Sequence, residues 1–129
     1  MDWQPLIDAA RAARERAYAA CSSLRVGAAV RMAGGLLHEG CNVENRTFGA
    51  TICAERVAVT SAVAHGARQL EAVVVVTDTD PPAPPCGICR EVLTEFGRPD
   101  LPILCLGSGD SRREHRLADL FPQPFDFSK

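Results

Sequence analysis

No apolar run in this sequence approaches the ~20 residues that a membrane-spanning helix needs, so no transmembrane helix and no membrane partner are expected. Basic residues are not in excess. Fourteen Lys and Arg stand against sixteen Asp and Glu, a net charge of −2, and a nucleic-acid partner would favour a basic face. The opening residues Met1-Asp2-Trp3-Gln4-Pro5 lack the basic region and apolar stretch of a secretory signal, which points to a cytoplasmic location. There is no internal repeat and no low-complexity tract. The three histidines, His38, His65 and His115, have no placement that suggests catalysis.

What is present suits a soluble fold. A length of 129 residues predicts one domain, 1–129. A hydrophobic fraction of 47% is ample for a core, and 23% charged is ordinary. Six cysteines could pair as disulfides, but a chain without a signal is expected to use them for metal binding or as buried thiols.

The informative stretches are Cys53-Ala54-Glu55-Arg56 and Pro85-Cys86-Gly87-Ile88-Cys89-Arg90. Cys86 and Cys89 can reach one metal ion from a single turn, and Cys53 brings a third thiolate. Zinc accepts sulfur in a tetrahedral shell, and a catalytic zinc keeps three protein ligands and leaves the fourth position to water. Glu55 is a hard carboxylate beside soft ligands, better suited to moving a proton than to holding the metal. Residues two apart do not share a face in mid-helix, so Cys53 and Glu55 converge only at a helix start. The apolar run Val57–Val63 predicts that helix, beginning near Thr51 as N-cap. Ile88, Val92, Leu93 and Phe96 predict a second helix starting at Cys86–Cys89. Two helix N-termini would then face the thiols and favour their ionised form.

Elsewhere, Pro5–Ala20 reads as an amphipathic helix with Leu6, Ala10, Ala13 and Ala17 on one face. A loop follows at Cys21–Ser23. Val26–Met32 and Leu36–Val43 read as strands joined by a turn at Gly34-Gly35. Gly66 is the expected stop of the first metal helix. Glu71–Thr77, with four consecutive valines, predicts a strand covered on both faces. A proline-rich connector, 78–85, reads as a stiff loop delivering Cys86. Leu101–Leu106 and Arg112–Leu117 complete the strands, the latter with a solvated charged face, and Leu117–Phe121 forms a helical turn. Cys21, Cys41 and Cys105 read as buried small hydrophobes. A hairpin followed by helix–strand–helix–strand predicts an α/β fold, a three-layer α/β/α sandwich around a mixed sheet.

Taken together, Val26-Gly27-Ala28-Ala29, Gly40-Cys41-Asn42-Val43-Glu44-Asn45, the two cysteine motifs, and Leu120-Phe121-Pro122 with Phe125 resemble the small, homotetrameric, zinc-dependent cytidine deaminases, in order and spacing, over nearly the whole chain. The resemblance implies a five-stranded sheet, Zn2+ on Cys53, Cys86 and Cys89, and hydrolytic deamination of cytidine and 2′-deoxycytidine. Water activated at zinc would give a proton to Glu55 and attack C4 of the pyrimidine, and Glu55 would pass protons to N3 and to the departing ammonia. Asn42 and Glu44, a paired amide and acceptor, would hold the ribose 3′-hydroxyl. The backbone N–H of Ala54 would bind the base carbonyl at O2, and Arg56 would hydrogen-bond the ligand sulfurs. Phe125 would enter a neighbouring subunit's active site, with the aromatic tail of Phe121, Phe125 and Phe127 at an interface.

This chain departs from that pattern in four places. Leu24 replaces an aromatic residue that contacts the base, Cys21 replaces Tyr, Glu91 replaces Gln, and Gln123-Pro124 alters the approach of the tail. Leu24 therefore raises a second function, deamination of a modified or bulkier cytosine nucleoside. A polynucleotide deaminase would more often carry His in place of Cys53 and a basic groove. A non-catalytic zinc-stabilised module would need a fourth protein ligand, with Cys41, Cys105, His38, His65 and His115 as the candidates.

Overall fold

The valine run forms the middle of the sheet. In the computed structural model, which describes residues 1–126, β3 (Leu70–Val76) has Val73–Val76 buried throughout. It lies between β1 (Gly27–Met32) and β4 (Pro102–Leu106). β2 (Leu37–Cys41) and β5 (Arg112–Arg116) are the edges, giving the order β2-β1-β3-β4-β5. β3 and β4 run parallel, with Val73 opposite Ile103 and Val76 opposite Leu106; the other neighbours are antiparallel. A parallel pair needs a long crossover, here the connector and α3 (Gly87–Phe96), which bring Cys86 and Cys89 to one end of the sheet. The Arg112, Arg113, Glu114 and Arg116 side chains leave the β5 edge charged and exposed, which discourages further strand pairing.

Helices cover both faces, as the three-layer reading requires. On one face α1 (Gln4–Arg14) packs Leu6, Ile7 and Ala10 against Ala29, Ala72, Val74, Val76 and Leu104. On the other, α2 (Ala54–Ala64) and α3 bury Ala58, Val59, Ala62 and Leu93 against Ala28, Val30, Val73, Val75 and Ile103. Alternate residues of β1 and β3 point to opposite clusters, the period-two pattern of a sheet buried on both sides. The short α4 (Leu117–Leu120) seats Leu117 in the second cluster and leads into the tail.

Several strand ends fall one or two residues inside the sequence reading, with β2 stopping at Cys41 rather than Val43, and two helix boundaries differ because of tertiary contacts. α1 ends at Arg14 rather than Ala20, because Tyr18 is drawn into a bridge with Val43: its N–H donates to the Asn42 carbonyl, and its carbonyl accepts from Glu44 N–H. α2 begins at Ala54 with Cys53 at its N-cap, not Thr51. The Thr51 hydroxyl instead accepts the Asn45 N–H at 3.0 Å. Gly66 does close α2, in the left-handed region at φ +102°. The reading of three buried structural thiols holds for Cys105 alone. Cys21 is exposed in the loop that wraps Glu44, and Cys41 is half-buried at the strand end. Phe127 lies outside the described residues.

α2 sits so close to β2 that only glycine fits between them. A Cβ on Gly40 would lie 2.5 Å from the Ala58 nitrogen and 2.8 Å from the Ala54 carbonyl oxygen. Gly40→Ala is expected to push the helix that begins at Cys53 off the sheet, costing about 1–3 kcal/mol as overpacking does. Chemical denaturation measures it; an unchanged midpoint would show that α2 approaches β2 less closely.

Candidate active site

Cysteine stands where a capping side chain is normally found, at the N-cap of both α2 and α3, and neither Cys53 nor Cys86 makes a side-chain cap. Both thiols turn instead to a common point, which Cys89 reaches from the first turn of α3. The three sulfurs lie within 4.8 Å of one another, and Cys53 Sγ and Cys86 Sγ are 3.7 Å apart. Tetrahedral zinc with bonds of ~2.3 Å places its sulfurs ~3.8 Å apart, so the cluster is spaced for such an ion. Among the described residues no His, Cys, Asp or Glu joins it as a fourth ligand. Cys41, Cys105 and the histidines do not close the site.

The electrostatics of the thiols follow from their crowding. A hydrogen bond from Cys89 holds the Cys53 thiol down to about 5 against the opposing effect of burial, with Arg56 and Cys86 assisting. The same bond, then burial, drives Cys89 upward. Three neighbouring thiols cannot all ionise unless a cation joins them. Arg56, one turn into α2, donates from its guanidinium to Cys53 Sγ at 3.6 Å and to the Thr51 carbonyl at 3.2 Å.

Glu55 occupies the first turn of α2, 5% exposed. Burial pushes its carboxyl up to about 7; its own backbone N–H opposes the shift, and the charge of Cys53 adds to it. Beside it lies a cavity of about 200 Å³ lined by Leu24, Asn42, Glu44, Cys53, Ala54, Glu55 and Cys86, among others. Seven of the ten residues expected in the site therefore share one cavity, with Cys89 and Arg56 behind it. Phe125 is not among its lining residues; it is 79% exposed on the tail.

Asn42 and Glu44 do more than line the wall. The Asn42 side chain accepts the Val26 N–H and donates to the Leu24 carbonyl, both at 2.8 Å. Glu44 accepts the N–H groups of Cys21 at 2.8 Å and Ser22 at 2.9 Å, and the Ser22 hydroxyl. These bonds, led by the Ser22 hydroxyl, hold the Glu44 carboxyl below the usual range. Ser22 is a wall residue that sequence reasoning missed. Its signal was a polar pair, Ser22-Ser23, immediately before Leu24.

The family described as "Cytidine and deoxycytidylate deaminase zinc-binding region" matches residues 2–105. The chain belongs to this family. A cytidine deaminase of Sporosarcina psychrophila is 40% identical over 125 residues, 97% of this chain and 92% of the relative. The crystal structure of a cytidine deaminase from Burkholderia pseudomallei superposes with a TM-score of 0.92 at 43% identity, covering 97% of this chain and 100% of that one. A blasticidin-S deaminase of Bacillus cereus is 32% identical over 87 residues, 61% of each chain. In this zinc-binding family the cluster of Cys53, Cys86 and Cys89 is the group able to hold the ion.

A cysteine at an N-cap forgoes a cap worth about 0.5–2 kcal/mol. Cys86→Ser is accordingly expected to leave the metal-free protein as stable or up to about 1 kcal/mol more stable, while cutting its zinc content well below one equivalent per chain. Thermal unfolding after chelation and elemental analysis read the two effects. Full zinc retention would remove Cys86 from the ligand set.

Proposed function

We propose that this chain deaminates cytidine and 2′-deoxycytidine hydrolytically at C4, giving uridine or 2′-deoxyuridine and ammonia. It would do so in the cytoplasm, in pyrimidine salvage, as a homotetramer with active sites at its subunit interfaces. The observation that carries the reading is the buried Glu55 carboxyl beside a three-thiol cluster with no fourth protein ligand, on the wall of a nucleoside-sized cavity. Family membership supplies the reaction type.

Zinc held by Cys53, Cys86 and Cys89 would act as a Lewis acid and make water nucleophilic at neutral pH. Glu55 would accept a proton from the attacking water and return protons to N3 and then to the leaving amino group; a carboxyl raised by burial suits both directions of transfer. Ala54 N–H orients the base through O2. Asn42 and Glu44 hold the ribose 3′-hydroxyl, and Glu44 remains an ionised acceptor because its loop bonds favour the charged form. Arg56 offsets charge on Cys53. Phe125 closes a neighbouring subunit's cavity; its exposure on the tail supports this role. So do Tyr18, Val43, Phe48 and Ile52, apolar and exposed along the bridges that join 18, 43 and 52, a surface suited to subunit contact.

The test is Glu55→Gln, which keeps shape and removes proton transfer. Turnover of cytidine is expected to fall by roughly 10²–10⁴-fold or more, with zinc and fold retained. Near-native turnover would remove Glu55 from the chemistry.

A second reading concerns bulkier substrates. Leu24 lines the cavity and is 39% exposed, presenting a flexible side chain in place of a flat ring. A relative that is 32% identical over 61% of this chain is named for a different substrate, blasticidin-S, which supports this reading. Leu24→Phe is expected to tighten cytidine binding roughly two- to tenfold, the value of an aromatic contact, and to disfavour N4-substituted cytidine. Comparing kcat/KM for the two substrates on both proteins decides it; a ratio that does not move toward cytidine would clear Leu24 of a role in specificity.

A further inference from the structure

Arg90 follows a metal-site cysteine, yet its side chain points away from the sulfurs in function. Its Nε donates to the Pro85 carbonyl at 2.8 Å, and its backbone N–H donates to the Cys86 carbonyl at 2.9 Å. One terminal nitrogen of the same guanidinium donates to the Leu120 carbonyl at 2.8 Å. Leu120 is the last residue of α4, and the chain beyond it is the tail that carries Phe125. One half-buried residue thus holds the loop that positions Cys86 and the root of the tail.

The placement is chemically specific. A cation near the N-terminus of α3 opposes that helix's dipole, so the dipole does not explain an arginine here. The carbonyl at the end of a helical turn lacks an intrahelical donor and favours a cation. A planar guanidinium offers donors in a fixed fork and can span two carbonyls; an ammonium on a flexible stem is a single point of charge. The rest of α4 is anchored upstream, by Leu117 N–H to Leu101 and Ala118 N–H to Pro99, so the Arg90 bond is the one nearest the tail among these.

We infer that Arg90 is a positioning residue that couples the Cys86 loop to the C-terminal tail and fixes where Phe125 is delivered. This rests on the reading that Phe125 reaches a neighbouring subunit's substrate. Arg90 touches neither substrate nor metal in this scheme. It sets the direction in which residues 121–125 leave the body of the subunit, and its loss loosens substrate closure before it affects the chemical step.

A double-mutant cycle tests the coupling. KM and kcat for cytidine are measured for Arg90→Gln, Phe125→Ala and the double variant, with zinc content on each. Arg90→Gln is expected to raise KM roughly ten- to a hundredfold, with kcat within about threefold and zinc unchanged, the scale of a lost charged hydrogen bond. Phe125→Ala raises KM alone, and adds little on top of Arg90→Gln because the tail is already displaced. Arg90→Lys, which keeps the charge but cannot span both carbonyls, carries the same cycle if Gln destabilises the fold, and is expected to recover only part of the loss. If both single variants raise KM and their effects multiply, the coupling is refuted and the Phe125 reading stands. If Phe125→Ala leaves KM unchanged, both fall. If Arg90→Gln loses zinc while Arg90→Lys has native KM, Arg90 supports the metal loop alone and the inference is overturned.

Discussion

Mutual repulsion among three thiolates and a carboxylate is the constraint around which this molecule is arranged. A zinc ion on three thiolates would still leave one net negative charge, so the surroundings must offset it. The fold supplies that at the meeting of two helix N-termini, where dipoles favour negative charge, and with the Arg56 guanidinium on Cys53. The arrangement has a local cost. Both helices start on cysteine, without the hydrogen-bonded cap that a serine or aspartate would make, and a carboxyl is buried where burial favours its protonated form.

The sheet exists, in functional terms, to hold those two helix starts in register. α2 is seated on the β1–β2 hairpin through the gap at Gly40, and α3 is the crossover between parallel β3 and β4. The thiol of Cys53 and those of Cys86 and Cys89 therefore come from two neighbouring helices on one face of the sheet, and neither motif completes the cluster alone. The wall of the cavity is built in the same way. Asn42 and Glu44 leave the end of β2 and pin the loop from Cys21 to Val26, so that the residues expected to meet the ribose also fix the backbone around Leu24.

Much of this was legible in the chain because its strongest signals are local. Cys86-Gly87-Ile88-Cys89 needs one turn to bring two sulfurs together, and the Val73–Val76 run marks a strand with no exposed face. What escaped depends on partners distant in sequence. The periodicity of α1 runs on past Arg14, but Tyr18 is claimed by Val43, and a tertiary bridge outweighs helix propensity. Thr51 is a good N-cap by type, and its hydroxyl is spent on Asn45. Cys21 has the composition of a core residue and lies in an exposed loop because the backbone around it serves Glu44. Arg90 belongs to the second cysteine motif, but its contacts were not legible there, because its two carbonyl partners are 5 and 30 residues away.

Under the proposed function, zinc would be held by three sulfurs of this chain with the fourth position open. Zinc K-edge X-ray absorption on the wild-type protein tests it most directly. The expected shell is three sulfurs at ~2.3 Å and one oxygen at ~2.0 Å, the oxygen being replaced or shifted when a nucleoside inhibitor is added. Four sulfurs, or three sulfurs with a histidine nitrogen that inhibitor leaves unmoved, would mean a closed structural site and would contradict it.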